Sequence, residues 1–223
     1  MPAKGGRYHH GDLRSALVDA AIGVIAERGV RDFSLAEASR RLGVTTAAPY
    51  RHFTDRDELL AAVAARALGV FADMLAGAAD AADAADAADA ADAADAADAA
   101  DAADAPAQRL AAMAGAYVRF AAQQRPLFDT IYNSGLDKSR HPELQRACEP
   151  VDTLLTVVLQ VCNGDQAAAE ALTDAVEASA HGHAMLLTDG EYGEGPEAVN
   201  TAAARAIASA RALIAGRHEL RPA

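Results

Sequence analysis

From Asp80 to Asp104 the chain is a strict Asp-Ala-Ala repeat carrying nine aspartates, and no other feature restricts the fold as tightly. A helix turns about 100° per residue, so a three-residue period moves each aspartate about 60° backwards around the cylinder. About six repeats carry the charge full circle, and no apolar face is left to pack against a core. The tract therefore reads as a solvated linker, or as an Ala-rich helix prolonging the one before it. It divides the sequence into a head over residues 8–70, a low-complexity linker over 78–105 and a body over 106–218.

Both flanking parts read as helical. Hydrophobic residues make up 52% of the 223-residue sequence but aromatics only 4%. Much of the apolar content is alanine, the best helix former, and alternating β-branched runs are missing, which points to an all-α protein. No apolar run is expected to reach the ~20 residues that span a bilayer. The basic N-terminus lacks the apolar stretch of a signal peptide. Cys148 and Cys162 form no CxxC pair, so the sequence suggests a reduced, cytoplasmic chain with no cofactor and no metal site.

Charge is unevenly distributed. The formal net charge is -12, yet residues 1–56 hold nine Lys and Arg against six Asp and Glu, while the remainder holds 11 against 26. A basic head on an acidic body is the asymmetry expected when one end meets phosphate.

The head shows the helix signals in order. Leu13, Ala16, Leu17, Ala20, Ala21, Val24 and Ile25 repeat at i, i+3, i+4, i+7, and Gly29 stands where a left-handed cap belongs. Ser34 with Glu37 forms a capping box for a second helix whose inner face is Leu35, Ala38 and Leu42. Gly43-Val44 supplies a left-handed residue followed by an apolar one that tucks between two helices, the requirement of a helix-turn-helix. A short third helix follows to Phe53. Placing its N-cap at Thr46 puts Pro49 third in the helix, where a missing N–H has no partner to lose. Asp55 with Glu58 opens a long fourth helix through Leu59, Leu60, Val63, Ala67, Val70, Phe71 and Met74. Ser34, Thr45, Thr46 and Tyr50 offer hydroxyls, and Arg51 and Arg56 offer charge, to phosphates or bases. Beyond Pro106, five further helices are expected: Leu110–Ala121, Pro126–Tyr132, Leu144–Val161 with Pro150 opening its main body, Asp165–Leu187 and Pro196–Ile214.

The stretch Tyr8-His9-His10-Gly11-Asp12-Leu13-Arg14, then Ala26-Glu27-Arg28-Gly29, Ser34 to Phe53 and Asp55-Arg56-Asp57-Glu58-Leu59-Leu60 resembles the N-terminal domain of the tetracycline-repressor (TetR) family. Tyr50-Arg51-His52-Phe53 matches its aromatic-x-His-Phe signature. More weakly, Ala178-Ser179-Ala180-His181-Gly182 is similar to a His-Gly element of one subgroup, without its tryptophan. The resemblance implies a three-helix DNA-binding domain plus a helical bundle, and a homodimer held by the last two long helices on a double-stranded inverted-repeat operator. It also implies a small-molecule effector that releases a repressor. Carried over residue by residue, Thr45, Thr46 and Ala47 face bases and Tyr50 and His52 touch the backbone. Ser34, Pro49, Arg51, Arg56 and the basic arm at Lys4 and Arg7 complete the surface.

Other features leave alternatives open. Met113, Tyr117, Phe120, Phe128, Tyr132, His181 and Met185 are candidates for an apolar effector pocket or for ordinary core. His181 and His183 lie about 200° apart on a helix and cannot share a ligand. Cys148 and Cys162 read as buried thiols or a redox pair. The acidic tract is a bland spacer or an arm that competes with DNA for the head. No converging acid, base and nucleophile marks an enzyme. The competing functional reading is a helix-turn-helix interaction module that has lost sequence-specific DNA binding.

Overall fold

The computed structural model describes residues 10–92, 98–154 and 156–220. Among the described residues are nine α-helices and no strand: α1 (His10–Arg28), α2 (Leu35–Arg41), α3 (Arg56–Asp92), α4 (Asp98–Gln123), α5 (Arg125–Asn133), α6 (Pro142–Leu154), α7 (Thr156–Val161), α8 (Gln166–Thr188) and α9 (Pro196–Ala215). They form two compact units. The first joins the residues up to Leu68 with Arg125–Cys148; the second joins Gly69–Gln124 with the chain from Glu149 onward. This division differs from the one suggested by composition, because α5 and the start of α6 contribute Leu127, Phe128 and Leu144 to the core of the first unit. Composition marks the tract, but not which core a later apolar stripe will find.

In the first unit, α1 buries Leu17, Ala20, Ala21, Val24 and Ile25, the predicted stripe. It ends at Gly29, with φ +80° and its N–H on Ile25 O at 2.8 Å. Ser34 is extended and its Oγ accepts the Glu37 N–H at 3.3 Å. The expected capping box is only half made there, since the Glu37 carboxylate pairs with Arg28 and Arg40 instead. α2 closes in a Schellman turn: Gly43 at φ +67° donates to Arg40 O and Val44 donates to Ser39 O, both at 3.1 Å. Leu42, expected on the inner face, is only half-buried; Ser39 is buried instead and returns its hydroxyl to Leu35 O at 2.8 Å.

α3 begins as predicted, with Asp55 Oδ1 accepting the Glu58 N–H at 2.8 Å. Leu59 to Ala64 are buried on every side of the helix, and burial continues through Phe71, Ala72 and Leu75 to Ala79. At Asp80 it stops, where the repeat begins to rotate charge around the cylinder. The chain stays helical to Asp92 and again from Asp98, since alanine needs no packing to favour helix. Contrary to the expectation of no spanning run, Arg56–Ala85 is long and apolar enough by length and composition to cross a membrane, although 61% of its apolar 18-residue window is buried inside the protein. Its alanines raise the apolar content of what is a core helix.

Pro150 does not open its helix as expected. Pro142, not Pro150, opens the helix in its region, and Pro150 lies inside α6. The first position is where a missing N–H has no partner to lose.

The second unit is a mutual packing of α4, α8 and α9, with α7 against α4 and α8. Asp165 caps α8 by accepting the Ala168 N–H at 3.1 Å. Inner faces are mostly small: Ala168, Ala169, Ala180 and Ala184 on α8, and Ala198, Ala202, Ala203, Ala206 and Ala210 on α9. Such faces exclude water only if the helices come close. At Gly115 of α4 an added Cβ would stand 2.8 Å from both Cγ1 and Cδ1 of Ile207 on α9. Overpacking of this kind costs about 1–3 kcal/mol. Gly115→Val is therefore expected to lower stability by that amount in urea or thermal unfolding, and adding Ile207→Ala to recover part of the loss.

Candidate nucleic-acid interface

After the Schellman turn the chain makes a turn over Thr45–Ala48, with the Ala48 N–H on Thr45 O at 3.0 Å, then a single 3-10 turn over Pro49–Arg51. The predicted cap at Thr46 does not form, and the third helix is shorter than expected. Pro49 is the cause: without an N–H it cannot continue an α-helical ladder from Thr45. The 3-10 turn is then closed by His52 and Phe53, whose N–H groups reach Pro49 O at 2.8 and 2.9 Å.

This short segment is held at its ends and offered in its middle. Pro49 is buried and Phe53 is 1% exposed, whereas Tyr50 is 61% exposed and Arg51 is exposed beside it. Thr45, Thr46, Ala47 and Ser34 are exposed and His52 is half-buried. Pro49, expected on the contact surface, instead shapes that surface from inside. Phe53 is fixed further by the Arg14 guanidinium, 5.0 Å from its ring centroid, which also donates to Glu143 Oε2 at 2.7 Å.

Most arginines of this unit are already engaged. Arg28 and Arg40 pair with Glu37, Arg41 with Glu27, and Arg66 with Asp19 at 2.8 Å. Arg56 donates from Nε to Phe33 O at 3.0 Å and from Nη2 to Val30 O at 2.7 Å, with Asp57 3.2 Å from Nη1. From the sequence alone Arg56 is available to phosphate; in the fold, two backbone carbonyls and Asp57 take its donors. Within this unit, among the described residues, the side chains of Arg31 and Arg51 have neither ion pair nor hydrogen bond. Arg31, in the exposed α1–α2 connection, was missed because it lies outside the helix-turn-helix pattern. Lys4 and Arg7 lie outside the described residues.

In the second unit, the expected pocket residues divide. Tyr117 Oη and His181 Nδ1 are 2.9 Å apart, and Phe71 lies edge-on to Tyr117 and 5.0 Å from Phe120. Met113, Tyr117 and Phe120 are buried and Met185 is half-buried. Phe128 and Tyr132 belong to the first unit, their rings 4.9 Å apart. An open groove of about 330 Å³ in the second unit is lined by other residues, among them Gln108, Arg211, Ile214 and Arg217. Cys148 and Cys162 lie in different units and are not joined by a disulfide. The two histidines separate as the helix period requires. His183 has Nδ1 2.7 Å from Tyr192 Oη and Nε2 3.1 Å from Ser209 Oγ, while the Arg205 guanidinium lies over the Tyr192 ring at 5.2 Å.

An all-helical fold that presents a helix-turn-helix ahead of a separate helical unit is an arrangement used by DNA-binding transcription regulators. Residues 17–63 match the model of bacterial regulatory proteins of the tetR family, and residues 110–210 match the tetracyclin repressor-like C-terminal domain. The chain belongs to the TetR family. Among solved structures it is similar to a protein of unknown function from Rhodococcus sp. RHA1, with 26% identity and a TM-score of 0.67 over 93% of this chain and 98% of the other. It is also similar to a TetR-like regulator from the same organism, with 18% identity and a TM-score of 0.61 over 94% and 100%. RolR in complex with resorcinol gives 20% identity and a TM-score of 0.54 over 92% and 93%. No curated protein sequence matches the chain.

Burial holds the His183 imidazole below its ordinary value of 6.5, and the Arg205 charge pushes the same way. The folded ring thus takes up a proton less readily than the unfolded chain. Its contribution to stability is whole above about 6.5 and is lost as the pH falls below that value toward the folded one. Between about pH 7.5 and about pH 5.5, the Tm should fall more steeply for the unmodified chain than for His183→Gln. Parallel slopes would remove His183 as the source.

Proposed function

We propose that the protein is a cytoplasmic homodimeric repressor that binds an inverted-repeat operator and is released by a small-molecule effector. The observation that carries the reading is the recognition segment itself. Tyr50 stands 61% exposed between the buried Pro49 and Phe53, a position in which a large aromatic adds little to folding and is free to meet a partner. In this reading Thr45, Thr46 and Ala47 meet base edges in the major groove. Tyr50, Arg51, His52 and Ser34 take phosphates, with Lys4 and Arg7 reaching beyond them. Two heads related by a twofold axis would read half-sites about one helical turn, ~34 Å, apart.

Dimerisation through α8 and α9 is supported by what those helices leave outside. Leu186 is 43% exposed, and Ala204, Ala208, Ala212 and Ala215 are exposed on α9. For the effector we favour the core of the second unit: Met113, Phe120 and Met185 as apolar wall, and the Tyr117–His181 pair as polar end. A ligand there would displace close packing, and its differential affinity for two arrangements of that core would shift the heads away from the operator-bound spacing. RolR, of the same fold, is solved in complex with resorcinol, which makes a small organic effector a reasonable class to screen.

DNA binding is tested by fluorescence anisotropy on a duplex covering the region upstream of the protein's own coding sequence. Affinity should fall steeply with salt. Arg51→Ala should weaken binding and lower the salt slope by about one. Tyr50→Ala should weaken it with the Tm nearly unchanged and the dimer intact by sedimentation. Salt-insensitive binding by the unmodified protein would overturn the reading. An effector that binds tightly without changing operator affinity would overturn the release mechanism alone.

A further inference from the structure

The helix-turn-helix is a long excursion from the body of the first unit. It leaves at Phe33, just before the α2 cap at Ser34, and returns at Arg56, the first residue of α3. Both ends of that excursion meet at one guanidinium. Arg56 Nε donates to Phe33 O at 3.0 Å, across 23 positions of sequence, and Nη2 to Val30 O at 2.7 Å, across 26. The Phe33 ring, itself 2% exposed, lies under the same guanidinium at 5.8 Å. Asp57, next in α3, takes Nη1 at 3.2 Å. Two of the five donors of the fork are thereby directed inward, and a third is held by the exposed Asp57 carboxylate.

We propose that Arg56 is a positioning residue of the DNA-binding head: it closes the excursion at its base and so fixes how the recognition segment is presented, rather than contacting phosphate. The proposal rests on the DNA-binding reading above, and the experiment below separates the two. Between the closed ends the excursion is also tied to α1 by the ion pairs Arg28–Glu37 and Arg41–Glu27, surface pairs that add little rigidity. Pro49 and Phe53 anchor the returning limb, and Ser39 and Leu35 the outgoing one. The Val30 and Phe33 carbonyls lie in the α1–α2 connection, outside the ladder of either helix, and depend on Arg56 for charge-assisted partners. Closing a loop of this length restrains the relative angle of its limbs, which is what a recognition segment must hold constant to keep Thr45 to Ala47 in register with base edges. A point charge could serve a phosphate equally well from lysine. Two carbonyls and a ring face need the planar fork.

The test uses the full-length protein with Arg56→Ala and Arg56→Lys. The probes are a duplex selected from a randomised pool by the unmodified protein and a random-sequence duplex of equal length. Affinities are read across a salt series, well below each variant's Tm. We expect both variants to bind the selected duplex about tenfold more weakly or worse, with salt slopes unchanged. The preference for selected over random duplex should shrink, because misplaced recognition residues lose sequence reading first. Amide exchange over residues 30–34 should quicken in both. A role confined to global stability would lower the Tm and leave the preference of the folded protein intact, which overturns the proposal. A slope reduced by about one in Arg56→Ala, with full affinity in Arg56→Lys, identifies a phosphate contact and also overturns it. Should Arg56→Ala fail to fold, Arg56→Lys decides: undiminished affinity and preference refute positioning. If the unmodified protein selects no duplex, the DNA-binding reading fails first and the proposal with it.

Discussion

The head depends on where α2 is made to stop. Gly43 takes a backbone that other residues adopt only at a cost, and this lets Val44 and Gly43 pair the last carbonyls of α2 while the chain reverses. Everything the recognition segment presents follows from that reversal. Pro49 then forbids a regular helix and imposes a single 3-10 turn, whose tight closure keeps Tyr50 and Arg51 next to each other on the outside. The buried ends at Pro49 and Phe53 convert a few residues of weak secondary structure into a rigid element. A short segment of this kind holds its shape through tertiary anchors, because so few residues cannot sustain a helix alone.

The second unit solves a different problem. Alanine buries little area, about 25 cal/mol for each Å², so a core of alanines gains from short interhelical distances rather than from large side chains. Gly115 against Ile207 is the tightest such approach among the glycines of this unit, and three large rings, Phe71, Tyr117 and Phe120, gather in one layer. That layer contains the Tyr117–His181 hydrogen bond, a polar pair within an otherwise apolar layer. Polar groups in such surroundings cost little only while they remain paired, which gives a ligand able to replace one partner a means of discriminating between arrangements of the core.

Features set by local chemistry were legible in the sequence. Ser34 and Asp55 cap the helices they were expected to open, Asp165 caps the helix it was expected to begin, and Gly29 and Gly43 adopt the left-handed backbone where the pattern demanded it. The apolar stripe of α1 and the end of burial at Asp80 also followed from periodicity alone. What escaped depends on distant partners. Arg56 reads as a free cation until Val30 and Phe33 are brought beneath it, and Pro49 reads as a third helical residue until its burial fixes the turn. The helices α5 and α6 carry stripes that fit either core, and only the fold assigns them to the first unit. Of the candidate pocket, Tyr117 and His181 came together, whereas Phe128 and Tyr132 did not join them.

The charge pattern takes on a sharper meaning in the fold. A surplus of basic residues in the head suggested attraction to phosphate, yet most of those arginines face carboxylates: Glu27, Glu37, Asp19 and Glu143. Exposed pairs of this kind are worth little, about 0–1 kcal/mol, so an arginine gives up almost nothing by exchanging a carboxylate for a phosphate. The acids therefore lower the standing potential of the head without withdrawing its cations from use. Arg31 and Arg51, free of such partners among the described residues, would make the first contacts, and the paired arginines could follow as DNA closes over them. A single head with few ready cations gains only modest affinity. Two heads joined in the proposed dimer multiply that effect through a high effective concentration of the second, which makes operator binding steeply sensitive to the distance between heads, the quantity an effector would have to change.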